Sequence, residues 1–422
     1  MTTKSIDPSK LFIASCIALL VTGMTFSIRA GLLNPLGLEF GLNNTELATI
    51  ASAAFLGFPL AVILGGFIVD IVGMGRLLIF ALIGHILGII LTIFAGGFWS
   101  LYISTLLVGI ANGLVEAACN PLVATLYPND KTKMLNRFHI FFPFGIVFGG
   151  LVVYFMKEIG LGWQIQMASM LVPAAVYAFL FLGHSFPPTE RVASGVSYGE
   201  MFKECLRPLF LFMIFCMFLS ASTELATNQL IEKLLSNVAL LLVFINSIMA
   251  VGRIFAGPVV HRLAPTGILL FSAIFSAIGL FWLSRANGSE TYIAAAVFAM
   301  GICYFWPTML GFTSEYLPKT GAIGLSLMGG AGMFSVSLVL PLIGIVMDKK
   351  IATLTQGYSL KVLQKATEGS TEYDIWKSIE TTVGITTLQY INILPVILII
   401  AFVGLILYTR QMKSKPTLVK TA

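Results

Sequence analysis

The chain has 422 residues, of which 57% are hydrophobic and only 10% charged, whereas an ordinary soluble domain carries about 25% charged residues. This excludes a soluble globular protein, a disordered chain, a collagen-like fibre and a disulfide scaffold, and the uninterrupted apolar runs exclude the alternating strands of a membrane β-barrel. The net charge of +6 reads as a signal of orientation in a bilayer, not of affinity for nucleic acid.

A helix needs about 20 mostly apolar residues to cross a bilayer. The first run, Leu11 to Leu33, follows Lys4 and Lys10. It is too long for a signal-peptide core and lacks a small-residue cleavage site, so it reads as a retained first helix. Run lengths then predict an all-α membrane protein with about twelve spans, at 11–36, 45–71, 75–98, 100–127, 133–156, 163–185, 206–231, 236–262, 267–286, 290–316, 320–347 and 384–410. Two polar stretches interrupt them. Residues 186–205 divide the helices six and six, giving an N-terminal half of 1–185 and a C-terminal half of 206–422, and residues 348–383 form a long loop in the second half.

With the N-terminus inside, the inner segments hold Lys4, Lys10, Arg76, Lys131, Lys133, Arg137, Arg262 and Lys319 among others, while the short outer loops hold only Lys157, Lys233 and Arg285. This bias places both termini and the 186–205 linker in the cytoplasm and the 348–383 loop outside. The cysteines number five, an odd count, with no metal-ligand spacing, and read as small buried hydrophobes. No cofactor or metal is expected, since phosphate loops, Cys/His clusters and nucleophile elbows are missing from the sequence.

An ionisable residue inside a span costs several kcal/mol and should face a cavity or a partner. Few qualify. Arg29 lies on helix 1, about 28 Å from Lys10 along the axis at 1.5 Å per residue, and so in the outer half. It could bind an anionic group in bidentate fashion or snorkel to the outer interface. Asn112, Glu116 and Asn120 on helix 4 are spaced i, i+4, i+8 and form one polar stripe. Glu116, about 16 Å from Tyr127 along the helix, could accept a proton during transport or make a structural helix–helix hydrogen bond. His139 on helix 5 stands near the expected level of Glu116 and could join it in a relay or pack as a hydrogen-bonded histidine. His85 on helix 3 reads as structural. Glu224 and Asn228 on helix 7 share a face at i, i+4, and suit substrate or gate contact, or a hydrated outer end beside Glu232 and Lys233. Trp306, before Pro307 on helix 10, offers a face on which a sugar ring could stack.

The halves share a weak repeat. Between helices 2 and 3 stands Gly66-Phe-Ile-Val-Asp70-Ile-Val-Gly73-Met-Gly75-Arg76, and between helices 8 and 9 stands Gly252-Arg253-Ile-Phe-Ala-Gly257-Pro258-Val-Val-His261-Arg262-Leu-Ala264-Pro265. Gly66, Asp70, Gly73 and Arg76 resemble the helix 2–3 signature of the major facilitator superfamily, with Ile71 in place of its usual base. Gly113, Glu116, Asn120 and Pro121 are similar to the helix 4 pattern of the fucose–proton symporter-like group. Leu135-Asn136, Pro307-Thr308 and the run Gly329, Gly330, Gly332, Pro341, Gly344 and Asp348 are similar too.

The resemblance implies two six-helix bundles around a central cavity, with a small solute bound near the midplane and alternating access. It implies proton-coupled symport of a sugar or sugar derivative, with Glu116 serving proton and sugar recognition; beside it, the residues themselves suggest His139 on the proton and Asn112, Asn120, Glu224, Asn228 and Trp306 on the solute. Gly66, Asp70, Gly73, Arg76, Arg253 and Arg262 would gate the inner face, the two arginines pairing with Asp70, Asp348 or helix ends. The group carries an acidic residue on helix 1 where this chain has Arg29, and between Lys10 and Glu39 there is no Asp or Glu. Arg29 therefore opens a second reading, transport of an organic anion or acidic sugar. Drug or metabolite efflux is a third. The implied partners are a small solute, a proton or sodium ion and the lipid of a plasma (inner) membrane, for a monomer with no nucleic-acid partner and no enzymatic activity.

Overall fold

The computed structural model describes residues 6–42, 44–189, 195, 197–228, 239–286, 288–355, 357–359, 362–363 and 366–414. Lys4, Glu232 and Lys233 lie outside the described residues, as does the side chain of Asp348. Helix dominates, and no strand occurs among the described residues. Eleven helical stretches there are long and apolar enough to cross a membrane, and the shorter Leu241–Ile254 is apolar as well. Together they account for the dozen predicted spans.

Helix α1 (Pro8–Phe40) begins where the Asp7 carboxylate accepts from the Lys10 amide, with Pro8 at the first turn, and stops at Gly41 in the left-handed region. These are ordinary start and stop devices. Then come α2 (Asn44–Val72), α3 (Met74–Ile93) and α4 (Phe98–Leu126). The α2–α3 turn is a single residue, Gly73, at φ 88°, a value that glycine adopts without a Cβ penalty.

The next spans are broken. Helix 5 of the sequence divides into α5 (Lys131–Phe138) and α6 (Phe141–Glu158), and helix 6 into α7 (Trp163–Ala168) and α8 (Leu171–Phe181). A short amphipathic helix in the linker, α9 (Tyr198–Cys205), is capped by Ser197 and Glu200 acting reciprocally. Helix α10 (Pro208–Ala221) runs into a π-helical segment, Ser222–Ala226. Helix α11 (Ala239–Ile254) meets α12 (Ala256–Leu283) at Phe255, and α12 is itself kinked at Ala264, φ 56°, ahead of Pro265. Helix 10 of the sequence divides into α13 (Glu290–Ile302) and α14 (Phe305–Tyr316).

The long polar loop is shorter than 348–383. Helix α15 (Gly321–Leu354) continues past Asp348, and α16 (Thr371–Ile391) starts well before residue 384, followed by α17 (Ile393–Ser414). The helix extensions close a small apolar cluster of Leu363, Ile379 and Val383 with Met347, Ile351 and Trp376. Those residues are spaced too widely to register as a membrane run, yet they bury one face.

Between the halves, α2 packs on α15, α5 on α14 and α6 on α11. The α2–α15 contact is close: a Cβ at Gly66 would collide with Ser326 and one at Gly330 would lie 2.6 Å from Ile63. Small residues let helix backbones approach in this way.

Candidate functional site

Where α2, α4, α6, the π-helical segment after α10, α11, α14 and α15 converge, a cavity of about 350 Å³ is lined by Phe58, Glu116, His139, Phe142, Glu224, Leu225, Arg253, Trp306 and Met333. It draws on both halves. On the N-terminal side, Asn120 Nδ2 donates to Glu116 Oε2, and Asn120 Oδ1 lies 3.1 Å from His139 Nε2. An amide oxygen only accepts, so His139 must carry its proton on Nε2. Asn120 thus ties Glu116 to His139.

On the C-terminal side the hub is Arg253, 1% exposed. Its Nη2 lies 3.6 Å from Glu224 Oε1. Its Nε donates to the Cys303 carbonyl and its Nη1 to the His139 carbonyl, both at 2.6 Å. The reason these carbonyls are free is legible in the chain. A helical carbonyl accepts from the amide four residues on, and four residues after His139 and Cys303 stand Pro143 and Pro307, which have no N–H. Both helices break there, and Arg253 supplies the two missing donors, one in each half of the molecule. The broken helix 10 is held further by Tyr304, whose hydroxyl donates to the Gly252 carbonyl at 2.6 Å.

This corrects the expected role of Arg253. It does not flank an inner-face turn: the turn sits at Ala264-Pro265, and eleven residues separate Arg253 from Ala264, about 16 Å along a helix. Asp70 instead accepts from Thr189 of the linker. Arg76 and Arg262 are exposed, and Gly73 makes the α2–α3 turn.

The cavity keeps unused polar atoms. Glu224 Oε2 and Trp306 Nε1 have no hydrogen-bond partner among the described residues. Trp306 lies against Gly332, where a Cβ would come within 2.5 Å of the indole, so the small residue makes room for the ring. Glu224 and Asn228 part company. The π-helical turn inserts a residue into the helical repeat, and Asn228 lines an adjoining cavity with Phe26, Ser27 and Asn246. That cavity shares Phe142, Leu225 and Met333 with the central one, and Asn228 Oδ1 is also unpartnered.

Two predicted residues are elsewhere. Asn112 is fully buried inside the N-terminal bundle, donating to Thr25 Oγ1 at 2.9 Å and facing His85 Nε2 at 2.9 Å, with His85 Nδ1 3.1 Å from the Tyr177 hydroxyl. The stripe on helix 4 therefore divides: Glu116 and Asn120 face the other half, and Asn112 faces its own. Arg29 lines a separate cavity within the N-terminal bundle with Thr25, Leu32 and Leu36 of α1, whereas Phe26, Ser27 and Ala30 line the adjoining central cavity. Sequence reasoning missed Asn246 and the central position of Arg253. The signal for the latter was Pro143 and Pro307.

On the linker side of the cavity the halves are latched. The Glu315 carboxylate of α14 accepts from the Thr132 amide at 3.0 Å and from its hydroxyl at 2.5 Å, satisfying a free N–H of the first turn of α5. Lys131 Nζ reaches the Ser314 carbonyl at 3.4 Å, and Asn136 Nδ2 the Thr308 hydroxyl at 3.3 Å.

Comparison with known proteins agrees with this architecture. The family model of the Major Facilitator Superfamily matches residues 15–340. A Xenopus laevis protein, solute carrier family 2, facilitated glucose transporter member 10, is 26% identical over 178 residues, 42% of this chain and 32% of that protein. A D-xylose transporter of Levilactobacillus brevis is 28% identical over 146 residues, 34% of this chain and 31% of its own. The aligned part is thus about a third of the length of these curated relatives. Among solved structures, the transporter FucP in its outward conformation superposes with a TM-score of 0.68 at 16% identity, covering 92% of this chain and 98% of that one. The xylose transporter XylE of E. coli, partially occluded and inward open, superposes at 0.64 and 16% identity, covering 91% and 97%.

Proposed function

The chain belongs to the Major Facilitator Superfamily, and we propose that it is a proton-coupled secondary transporter for a neutral sugar or sugar derivative. One observation carries the reading. A cavity between the halves holds two carboxylates, Glu116 and Glu224, while Glu224 Oε2 and Trp306 Nε1 are left without partners. A sugar hydroxyl both donates and accepts, so it satisfies an orphaned acceptor and an orphaned donor together. Phe58, Phe142 and Trp306 supply apolar faces for the ring. The aligned relatives include a glucose and a D-xylose transporter, which supports the solute class.

In this mechanism Glu116 carries the proton. When it is charged, Asn120 and the nearby guanidinium of Arg253 stabilise it. When it is protonated, Arg253 is left to Glu224 and the two proline-freed carbonyls. The charge on Glu116 thus bears on the residue that joins the halves, which couples proton and solute to alternating access. The reading includes a plasma-membrane location with both termini cytoplasmic, a monomer, and a proton rather than sodium as the coupling ion. An acidic solute suits the cavity less well: Arg29 lies outside it, and Arg253 is already compensated by Glu224.

The test is uptake into proteoliposomes loaded with a pH gradient, using sugars first identified by thermal shift of the purified protein. Glu116→Gln is expected to abolish pH-driven accumulation and keep counterflow exchange. Wild-type accumulation by that variant would falsify the assignment.

A further inference from the structure

Arg29 is 9% exposed and lines a cavity enclosed by α1, α2, α3, α4 and α7. Among the described residues it makes no ion pair and no hydrogen bond; its one recorded interaction is with the Phe26 ring, 5.9 Å from the guanidinium carbon. Contrast Arg253, which has a carboxylate and two carbonyls. A buried charge with no counter-charge is several kcal/mol out of balance, and a cation–π contact returns only about 0.5–2 kcal/mol of that. Something anionic is needed beside Arg29.

The cavity also specifies what kind. Its hydroxyls come from Thr25, Thr92 and Thr105. Thr25 donates to the Thr22 carbonyl and accepts from Asn112, and Thr92 is engaged with the Gly88 carbonyl and Ser104. Thr105 makes no hydrogen bond among the described residues and so has a hydroxyl proton to offer. The rest of the wall is apolar, with Leu32, Ile50 and Met167, and among the described residues it contains no carboxylate or carbonyl side chain that would repel an anion. The cavity is about 410 Å³, comparable with the 350 Å³ of the central one, but among the described residues one guanidinium and one free hydroxyl are its unused donors, which leaves most oxygens of a sugar acid or a phosphate monoester without partners.

We infer that Arg29 and Thr105 hold a single halide ion, chloride, as the internal counter-ion of the N-terminal bundle. The site is separate from the transport cavity and does not depend on which solute is carried. The ion neutralises Arg29 and completes the packing of α1 against α4.

The experiment uses the purified full-length protein, with chloride replaced stepwise by gluconate at constant pH and ionic strength. Tm is expected to rise with chloride and to saturate, bromide is expected to substitute, and a crystal soaked in bromide should show an anomalous peak beside Arg29. Arg29→Met is expected to lose the dependence, and Thr105→Val to raise the half-saturating chloride concentration about tenfold, the equivalent of one lost charge-assisted hydrogen bond. A wild-type Tm indifferent to halide overturns the site, and so does a chloride dependence that survives Arg29→Met. Should Arg29→Met fail to fold, an unchanged half-saturation point in Thr105→Val overturns it equally.

Discussion

The N-terminal bundle contains two buried polar networks with opposite characters. Inside the bundle, Tyr177, His85, Asn112 and Thr25 form a chain in which His85 and Asn112 each have their recorded partners. At the interface, Glu116, Asn120 and His139 meet Arg253 and Glu224, and polar atoms remain over. Both networks start from the same stripe on helix 4. Burial is therefore no guide to function here, since every one of these residues is buried. The guide is incompleteness. A network whose donors and acceptors are all used can only hold helices together, whereas one with an orphaned acceptor and donor has capacity for a ligand.

The largest effect should come from breaking the hub that only the interface network has. Arg253→Met leaves Glu224 without its counter-charge and strips both proline-freed carbonyls of their donor. Removing one partner of a buried pair costs about 3–5 kcal/mol. Uptake by Arg253→Met should fall to background with a lowered Tm. Arg253→Lys keeps the charge but cannot reach three acceptors in a fixed fork, and should recover stability more than transport. If Lys restored both, the two carbonyl contacts would be incidental.

Next in size is Glu116→Gln, which keeps the shape of the side chain and removes only its ability to cycle a proton. Accumulation driven by a pH gradient should drop more than tenfold while exchange continues, as measured by counterflow.

How much of this was readable from residue order can be judged on the same stripe. Run lengths gave the helices, and the i, i+4, i+8 spacing of Asn112, Glu116 and Asn120 correctly set them on one helix face. Asn112 and Asn120 are about 12 Å apart along the axis at 1.5 Å per residue, yet one end of the stripe meets α3 and the other meets the opposite half. Which neighbour a helix end meets is a tertiary fact. The π-helical turn that parts Glu224 from Asn228 had no local signature, since Ser222-Thr223-Glu224-Leu225-Ala226 holds neither Gly nor Pro. Arg253 was different. Pro143 and Pro307 announce two unpaired carbonyls, and a lone arginine inside a neighbouring span is a natural donor for them. The argument was available, but it joins three residues from three helices.

A smaller effect, of another kind, is expected in the complete network. Asn112→Leu leaves His85 Nε2 without a partner and takes from the Thr25 hydroxyl the donor it accepts from, at a cost of about 1–3 kcal/mol. Tm should fall while the KM for sugar stays at the wild-type value. Asn120→Leu should instead change the pH dependence of uptake, because Asn120 lies between Glu116 and His139. Identical behaviour of the two variants would erase the distinction between the networks.

The smallest predicted change tests whether the latch on the linker side acts with the interface network. Glu315 caps α5 from the opposite half, and a side-chain cap is worth about 1 kcal/mol. Glu315→Gln keeps the size and loses the charge, so the halves should part on that side about fivefold more often. Ala124, which lines a cavity there with Thr125, Thr189 and Ser314, provides the probe: in Ala124→Cys, the rate of modification by a water-soluble maleimide should rise about fivefold when Glu315→Gln is added. The five native cysteines are buried and give a low background. Because α5 ends at His139, whose carbonyl holds Arg253, the same loosening should be mimicked by Arg253→Lys. If maleimide modification responds to Glu315→Gln but not to Arg253→Lys, the latch and the hub work independently, and the proposed coupling of Glu116 to the linker side does not run through Arg253.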